Sequence, residues 1–346
     1  MENLTHTLVG VLLSRAGLHR LTPRATAICV VAANIPDIDI VTAVSPIDYL
    51  TYHRHITHAL PALPIMAVLA VLLVEGVCRL RRRGGEEIRW GPAFAVALLA
   101  TLSHIALDMT NAYGTRLWLP FDGHWSSWDA LFIVDLWVWA ILVLPLVILF
   151  GLRYLDPAKG RKRAIAVAAA GLVALVAYIG FRAVLHERVV AGLQALTYEG
   201  GPAVRVAAFP VPLETFRWSA LVETQDAFLL GITDDRQPST PPAWQRFEKA
   251  KQSELLRAAR ASPVARRYLD FASYARAEVE AMSAGHRVQF SDFRFRRGEA
   301  SGFLCTVEMD RDLNVTREEF QLWGGGGLLP FAQRVLRSRP GASDRN

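Results

Sequence analysis

The long apolar runs of this chain all but stop at residue 186, and no other feature constrains its fold as strongly. Stretches 61–80, 92–107, 131–152 and 164–185 are apolar almost throughout, and two shorter ones, 7–18 and 25–35, precede them. A helix needs roughly 20 apolar residues to cross a bilayer, so the four long runs suit spans and the two short ones suit tilted or half-buried helices. Hydrophobic residues make up 52% of the chain and mean hydropathy is +0.23, high for an ordinary soluble protein of this length. The expected architecture is mainly α over residues 1–186: a polytopic helical membrane bundle of about four to six membrane helices.

Net charge is +6 and the isoelectric point near 9.5, which on its own would suggest a nucleic-acid partner. The basic residues instead concentrate in short turns between apolar runs. Arg15, Arg20 and Arg24 mark one; Arg79, Arg81, Arg82, Arg83 and Arg89 the next; Arg153, Lys159, Arg161, Lys162 and Arg163 the third. The intervening loops, 37–60 and 109–130, hold only Arg54 and Arg116. By the positive-inside rule the basic turns are cytoplasmic, and no nucleic acid is expected as a partner. The N-terminus, both motif loops and everything after residue 185 then face the extracytoplasmic side. Cys29, Cys78 and Cys305 make no disulfide framework. The opening MENLTHT lacks the basic region of a cleavable signal, so 8–18 is read as mature structure.

That topology brings chemistry to one face. His6, Asp37, Asp39, His53, His55, His58, His104, Asp108 and Asp135 all fall at or near the extracytoplasmic ends of helices. Imidazole nitrogen and carboxylate oxygen are the usual ligands of zinc and related divalent ions. His104 and Asp108 are spaced i, i+4, which places them one turn apart on one helix face. In TYHRHITH, residues 51–58, His55 and His58 share a face and His53 need not. Each residue alone has an ordinary structural reading: Asp39 as a cap, Arg54 as the partner of Asp48, a histidine as a hydrogen-bonding side chain. Five histidines and four carboxylates at one membrane face exceed what capping needs. The metal-ligand candidates are His6, Asp37, His53, His58, His104 and Asp108. Asp39 and Asp135 are candidates for a second ion, for orienting imidazoles, or for taking the proton of a bound water. Arg54 suits a phosphate oxygen or an oxyanion as well as a salt bridge. His124, with Trp118, Trp125 and Trp128 on the same loop, fits an interfacial belt better than a substrate platform.

Five segments in this order, THTLVG (5–10), NIPDID (34–39), HRHITH (53–58), SHIALDMTNAYG (103–114) and FIVD (132–135), resemble the YdjM family of inner-membrane-associated metal-dependent hydrolases. The resemblance covers about the first half of the chain. The family's HR-x-x-TH core corresponds to His53, Arg54, Thr57 and His58, which implies that His55 is dispensable. A bacterial inner-membrane hydrolase using a divalent metal is what the resemblance implies; it does not settle the substrate. More distantly, the order His6, Asp37, His53 or His58, His104, Asp108 is similar to that of zinc-dependent phospholipases C. The residues that complete a third zinc in those enzymes have no equivalent here, so one or two ions are expected.

After residue 186 the texture changes to short alternating segments. Strands are expected over 204–209, 215–222, 228–233, 286–295 and 303–308, with a helical stretch inside 241–283. The expected domains are 1–186, the helical membrane domain with the metal site; 187–335, a small extracytoplasmic α+β or β-rich domain; and 336–346, a disordered tail. Together these readings predict a membrane-bound hydrolase acting on a phosphoester or lipid-derived ester through metal-activated water. Zinc is the first expectation for the ion, with manganese or magnesium as alternatives, and membrane lipid or a lipid-like small molecule is the expected partner. The competing classes are an ion or metal transporter, and a metal-stabilised anchor whose C-terminal domain binds a protein partner.

Overall fold

The structure, a computed structural model, describes residues 1–81, 86–155, 157–198, 202–237, 241–297 and 300–322. The tail expected at 336–346 lies outside the described residues, as do Gly84, Gly85 and residues 324–327.

Seven helices come first: α1 (Asn3–Arg15), α2 (Ala25–Ala32), α3 (Pro46–Tyr52), α4 (Leu63–Leu80), α5 (Trp90–Met109), α6 (Leu136–Leu155) and α7 (Pro157–Gln194). Three stretches are long and apolar enough to cross a membrane: Leu60–Leu80, Trp90–Met109 and Arg163–Gln194. A fourth is available if α2 and the 3-10 segment Ile35–Thr42, bent by 45°, form one broken span. Residues 131–135 are not helical, so α6 starts at Leu136, later than the 131–152 run suggested, and its described apolar stretch is Leu136–Leu152. Among the described residues, length and composition therefore supply three spans, or four with the bent pair, and do not confirm the four to six expected.

Small residues let the bundle close. Ala67, Ala70, Ala93, Ala97 and Ala100 are buried where α4 and α5 meet α2. Gly10 of α1 lies so near α2 that an added Cβ would sit 2.8 Å from the Cys29 carbonyl oxygen. On the outside, Leu72, Leu73, Val147, Val173 and Val176 are exposed, the texture of helices solvated by hydrocarbon. Two basic turns meet where Arg89 donates to the Arg20 carbonyl, and Arg24 pairs with Glu75, which also accepts from Arg79 Nε at 2.9 Å. The start of α1, the 3-10 segment, the start of α4 and the end of α5 gather at the opposite end.

The 38 residues of α7 make a helix about 57 Å long at 1.5 Å per residue, longer than a bilayer core is thick. Its last turns enter a water-exposed unit, where Leu185, Val189 and Leu193 pack on Trp218 and Ala220. Buried Arg182 fastens the junction: it donates to the carbonyls of Ala130 and Thr215 and lies over the Trp218 ring at 4.2 Å.

That unit holds two antiparallel four-stranded sheets. The first has strands in sequential order: β1 (Arg205–Pro210), β2 (Arg217–Glu223), β3 (Ala227–Asp234) and β4 (Gln245–Glu248). Helices α8 (Glu254–Ala261) and α9 (Pro263–Phe271) follow, then β5 (Ala275–Met282), β6 (Gly285–Asp292), the short β7 (Arg296–Arg297) and β8 (Ala300–Ser301), β9 (Phe303–Asp310) and β10 (Val315–Leu322). The second sheet runs β10-β9-β6-β5. Of the stretch that reads as helical within 241–283, α8 and α9 are helices, whereas 275–282 is strand. Its Ala and Glu residues favour helix, but the segment is an exposed edge paired along its whole length with β6, and pairing outweighs propensity there.

The two halves share a core. Leu50 of α3 and Tyr113 of the loop after α5 are buried with Tyr268, Phe271, Phe303 and Phe320. The sheets thus sit against the same loops that carry the histidine motifs.

Candidate metal centre

The polar end of the bundle is assembled by local folding rules. Ser45 caps α3, its hydroxyl accepting from Asp48 N at 3.3 Å, with Pro46 in the first turn, where proline is tolerated. His53 ends α3 and Arg54 follows in the left-handed region at φ 56°, a strained position for a side chain of this size. Asp39 holds that turn. Its Oδ2 accepts from Arg54 N (2.9 Å) and the Thr57 hydroxyl (2.9 Å), and its Oδ1 accepts from His53 Nδ1 (3.0 Å). The NIPDID segment is itself tied to α1, because the Asn34 amide donates to the Thr7 hydroxyl at 3.0 Å. On the other side, Trp128, Ala130 and Leu131 donate backbone N–H groups to the Met109 and Thr110 carbonyls, satisfying the open end of α5. Gly114, at φ 74°, lets that loop close, since a Cβ there would lie 2.6 Å from the Ser126 carbonyl oxygen.

Four donors converge at the centre. Asp37, His58, His104 and Asp108 each offer an atom, and all these atoms lie within 4.8 Å of one another. Nε2 of His58 and of His104 face each other at 3.1 Å. Asp37 Oδ1 lies 3.3 Å from the first and 3.6 Å from the second; Asp108 Oδ2 lies 3.3 Å from each. A tetrahedral ion with bonds of about 2.0–2.1 Å has ligand–ligand edges of about 3.3–3.4 Å, so these spacings suit one small divalent cation. The outer nitrogens support that arrangement. His104 Nδ1 donates to the Ala33 carbonyl at 2.8 Å, and His58 Nδ1 lies 3.1 Å from the Thr57 hydroxyl and 3.3 Å from Asp39. Each neutral ring then turns the Nε2 lone pair inward, the tautomer a metal ligand requires. Asp108 Oδ2 is buried and has no hydrogen-bond partner of its own. A buried carboxylate oxygen 3.3 Å from two imidazole nitrogens is costly unless positive charge meets it, from a metal ion or, without one, from a proton on His58. The residues fit a divalent metal.

The charge balance points the same way. Burial opposes a charged His58, but Asp108, Asp37 and Asp39 outweigh it and push its pKa up to about 10. The pocket draws positive charge to itself. On His53 the same burial prevails and lowers the pKa, with Asp39 opposing and Arg54 adding to the effect.

The remaining expected residues divide into three kinds. His53 is outside the four-donor set but forms a second group with Asp37 and Asp39 whose atoms also lie within 4.8 Å. His6 is fully buried and stacks on His104 with ring centroids 3.8 Å apart. Its Nε2 lies 3.4 Å from Asp108 Oδ1, and neither ring nitrogen has a hydrogen-bond partner. The Met1 amine also meets Asp108 Oδ1. Arg54 pairs with Asp108 (2.9 Å), not Asp48, and donates to Asn111 Oδ1 at 3.1 Å and Gly114 O at 3.3 Å. Asp48 instead accepts from Ser45. Asp135 stands apart from both donor groups: its Oδ1 accepts from the N–H groups of Trp137 and Val138, capping α6, and the Tyr178 hydroxyl donates to it at 3.3–3.4 Å. An aspartate just before an apolar helix reads equally as ligand or cap, and here the backbone claims it. His55 is half-buried and belongs to neither group. Trp118 and Trp128 are exposed, whereas Trp125 packs on Tyr113 and Phe271.

Asn111 and Tyr113 do not stand out in the sequence as site residues. Asn111 holds Arg54 and returns an N–H to the Asp108 carbonyl at 3.0 Å; the Tyr113 ring lies under the Arg54 guanidinium at 4.8 Å. The available signal is their position, three and five residues past Asp108 in the same motif.

A helical bundle of membrane-length apolar helices, with a buried His/Asp cluster at one end and antiparallel sheets beyond it, defines a membrane-associated protein with metal-binding potential. More particularly, the chain belongs to the YdjM inner membrane protein family, whose model matches residues 1–189. Residues 254–323, from α8 to the end of β10, match the YfhP C-terminal alpha/beta plait domain. The uncharacterized protein YfhP of Bacillus subtilis (strain 168) is 23% identical over 232 residues, which cover 65% of this chain and 65% of that protein. No solved structure matches the chain significantly.

Proposed function

We propose that this protein is a metal-dependent hydrolase of the bacterial inner membrane, cleaving a phosphoester or lipid-derived ester at the outer face. The observation that carries the reading is the set of four inward donors at tetrahedral spacing, with Asp108 Oδ2 unpaired among them. Asp37, His58, His104 and Asp108 would hold the ion, and two imidazoles with two carboxylates suit zinc first, with manganese or magnesium as alternatives. Bound there, it would supply a Lewis acid and lower the pKa of a coordinated water towards neutrality.

The chain's own groups have separate roles. Arg54 fixes Asp108 through Oδ1 and leaves Oδ2 to the ion. Asp39 orients both His53 and His58. His53, with Nδ1 held by Asp39, keeps Nε2 as the nitrogen able to take a proton from a coordinated water. Asp37 is the most exposed of the four donors, with 13% of its side chain accessible, so water and substrate would approach on its side.

One observation favours a different reading, an ion clamp that only stabilises the bundle: four protein donors can close a tetrahedral site, as structural zinc sites do. Transport has less support, because Glu75, the acidic group on α4, is neutralised by Arg24 and Arg79. The test is metal analysis of purified protein beside hydrolysis of phosphodiester and ester substrates. Wild type and His55→Ala should hold metal and turn over substrate, while His58→Ala should do neither. Metal bound stoichiometrically with no turnover of any substrate would leave the clamp.

A further inference from the structure

Between the motif loops and the two sheets lies a cavity of about 370 Å³. That volume is at the lower end of the roughly 300–1,000 Å³ typical of small-molecule sites, room for one medium-length hydrocarbon chain. Apart from Asn111, Arg294 and the hydroxyls of Tyr49 and Tyr113, the side chains lining it are hydrocarbon. Arg294 is matched by Asp292 at 2.8 Å and donates to the Ala112 and Phe271 carbonyls, so the wall carries no net charge for an ionic ligand.

Its position joins three regions. Phe209 and Phe303 form the wall supplied by the sheets. Tyr49 and Tyr113 form the wall towards the metal centre, and both rings touch His53, at 4.6 and 5.7 Å between centroids. Asn111 continues that wall and is one hydrogen bond from Arg54, which pairs with Asp108. Phe132 and Ile133 form the third wall and lead directly to Val134, Leu136 and Trp137, which are 37%, 49% and 55% exposed on the apolar surface where α6 begins. One end of the cavity therefore adjoins hydrocarbon and the other adjoins the polar cluster.

We propose that this cavity binds the acyl tail of a single-chain amphiphile whose polar head lies at the Asp37–His58–His104–Asp108 cluster. This rests on the hydrolase reading for the role of the head, and it gives the C-terminal sheets a purpose, completing the tail site. An apolar lining, a wall that continues in sequence into the apolar surface where α6 begins, and a polar cluster a single side chain away together select an amphiphile over a soluble polar substrate.

The test uses the full chain in lipid nanodiscs and a lysophospholipid whose acyl chain carries a diazirine. After irradiation, adducts are mapped by peptide mass spectrometry in wild type and in two cavity-filling variants, Ile133→Trp and Ala112→Phe. Metal content and melting temperature are checked on each. Adducts are expected on the peptides containing Tyr113, Phe209 and Phe303, reduced at least fivefold in both variants, with labelling of lipid-facing Leu72 and Val176 unchanged. Labelling confined to the lipid-facing helices, or cavity labelling that the fillers leave untouched, would overturn the proposal. Hydrolysis of a water-soluble phosphoester is measured on the same samples. Cavity adducts without hydrolysis would sink the activity and keep the tail site; hydrolysis without cavity adducts would do the reverse.

Discussion

The two halves of this molecule treat their charges in opposite ways. In the C-terminal sheets, charged side chains pair at the surface: Arg287 across strands with Glu280 and Glu308, and Arg246 with Glu248 of its own strand and Asp226 of the preceding turn. Of the charges buried there, Arg294 is accounted for by Asp292 and the carbonyls around it, and Asp235, whose Oδ1 makes no hydrogen bond, belongs to neither donor group. At the polar end of the helical bundle the charges are buried and aimed at a common point, and Asp108 Oδ2 with both nitrogens of His6 has no hydrogen-bond partner. Surface pairs of the first kind contribute little, whereas buried groups of the second kind are costly unless something meets them. The difference separates a region whose charges mostly pair at the surface from one whose buried charges converge at a point where an ion would fit.

Asp108 is where this contrast can fail most visibly. Asp108→Ala removes a donor and leaves Arg54 buried without its carboxylate, a loss of about 3–5 kcal/mol in stability together with the metal. Denaturation in detergent micelles and metal analysis check both parts; retention of wild-type metal would mean that the buried charges serve no ion. Next is Gly10→Val, which drives a side chain into the Cys29 backbone and costs about 1–3 kcal/mol by overpacking. It should lower the melting temperature, and metal affinity should fall with it because His6 of α1 stacks on His104 and holds that ring in place.

Proton linkage gives a smaller effect with a definite sign. Metal-free His58 holds its proton up to a pH of about 10, and a ligand must shed it. Zinc binding at neutral pH should therefore release protons, and affinity should rise with pH until about 10. Calorimetry in buffers of different ionisation enthalpy reads this directly; a pH-independent affinity would show that His58 is not a ligand. At the bottom of the scale, Arg287→Ala on the sheet surface should leave both metal content and the melting temperature within error.

Much of the candidate site is legible in the sequence, because its candidate donors come from short segments with fixed geometry. The i, i+4 spacing of His104 and Asp108 on α5 requires only that the segment be helical. NIPDID and TYHRHITH need the fold to show which members face inward: Asp37 and His58 do, while Asp39 turns to the loop backbone. Asp135 misleads because capping and ligation use the same carboxylate in the same place. Asn111 and Tyr113 stay hidden since neither residue type announces metal chemistry. In the C-terminal half, short segments rich in strand-forming residues mark β1, β2, β3, β6 and β9, but β5 is built from helix-favouring residues that pairing with β6 holds extended. Local pattern carries the first kind of information; partners distant in sequence carry the second.

X-ray absorption at the metal edge of zinc-loaded protein, in wild type and in His58→Ala, looks straight at the four-donor centre. The expected result is one zinc with two imidazole nitrogens and carboxylate oxygens at about 2.0–2.2 Å, and loss of one imidazole or of the metal in the variant. Sulfur in the coordination shell, or a spectrum unchanged by His58→Ala, would contradict a centre built from Asp37, His58, His104 and Asp108.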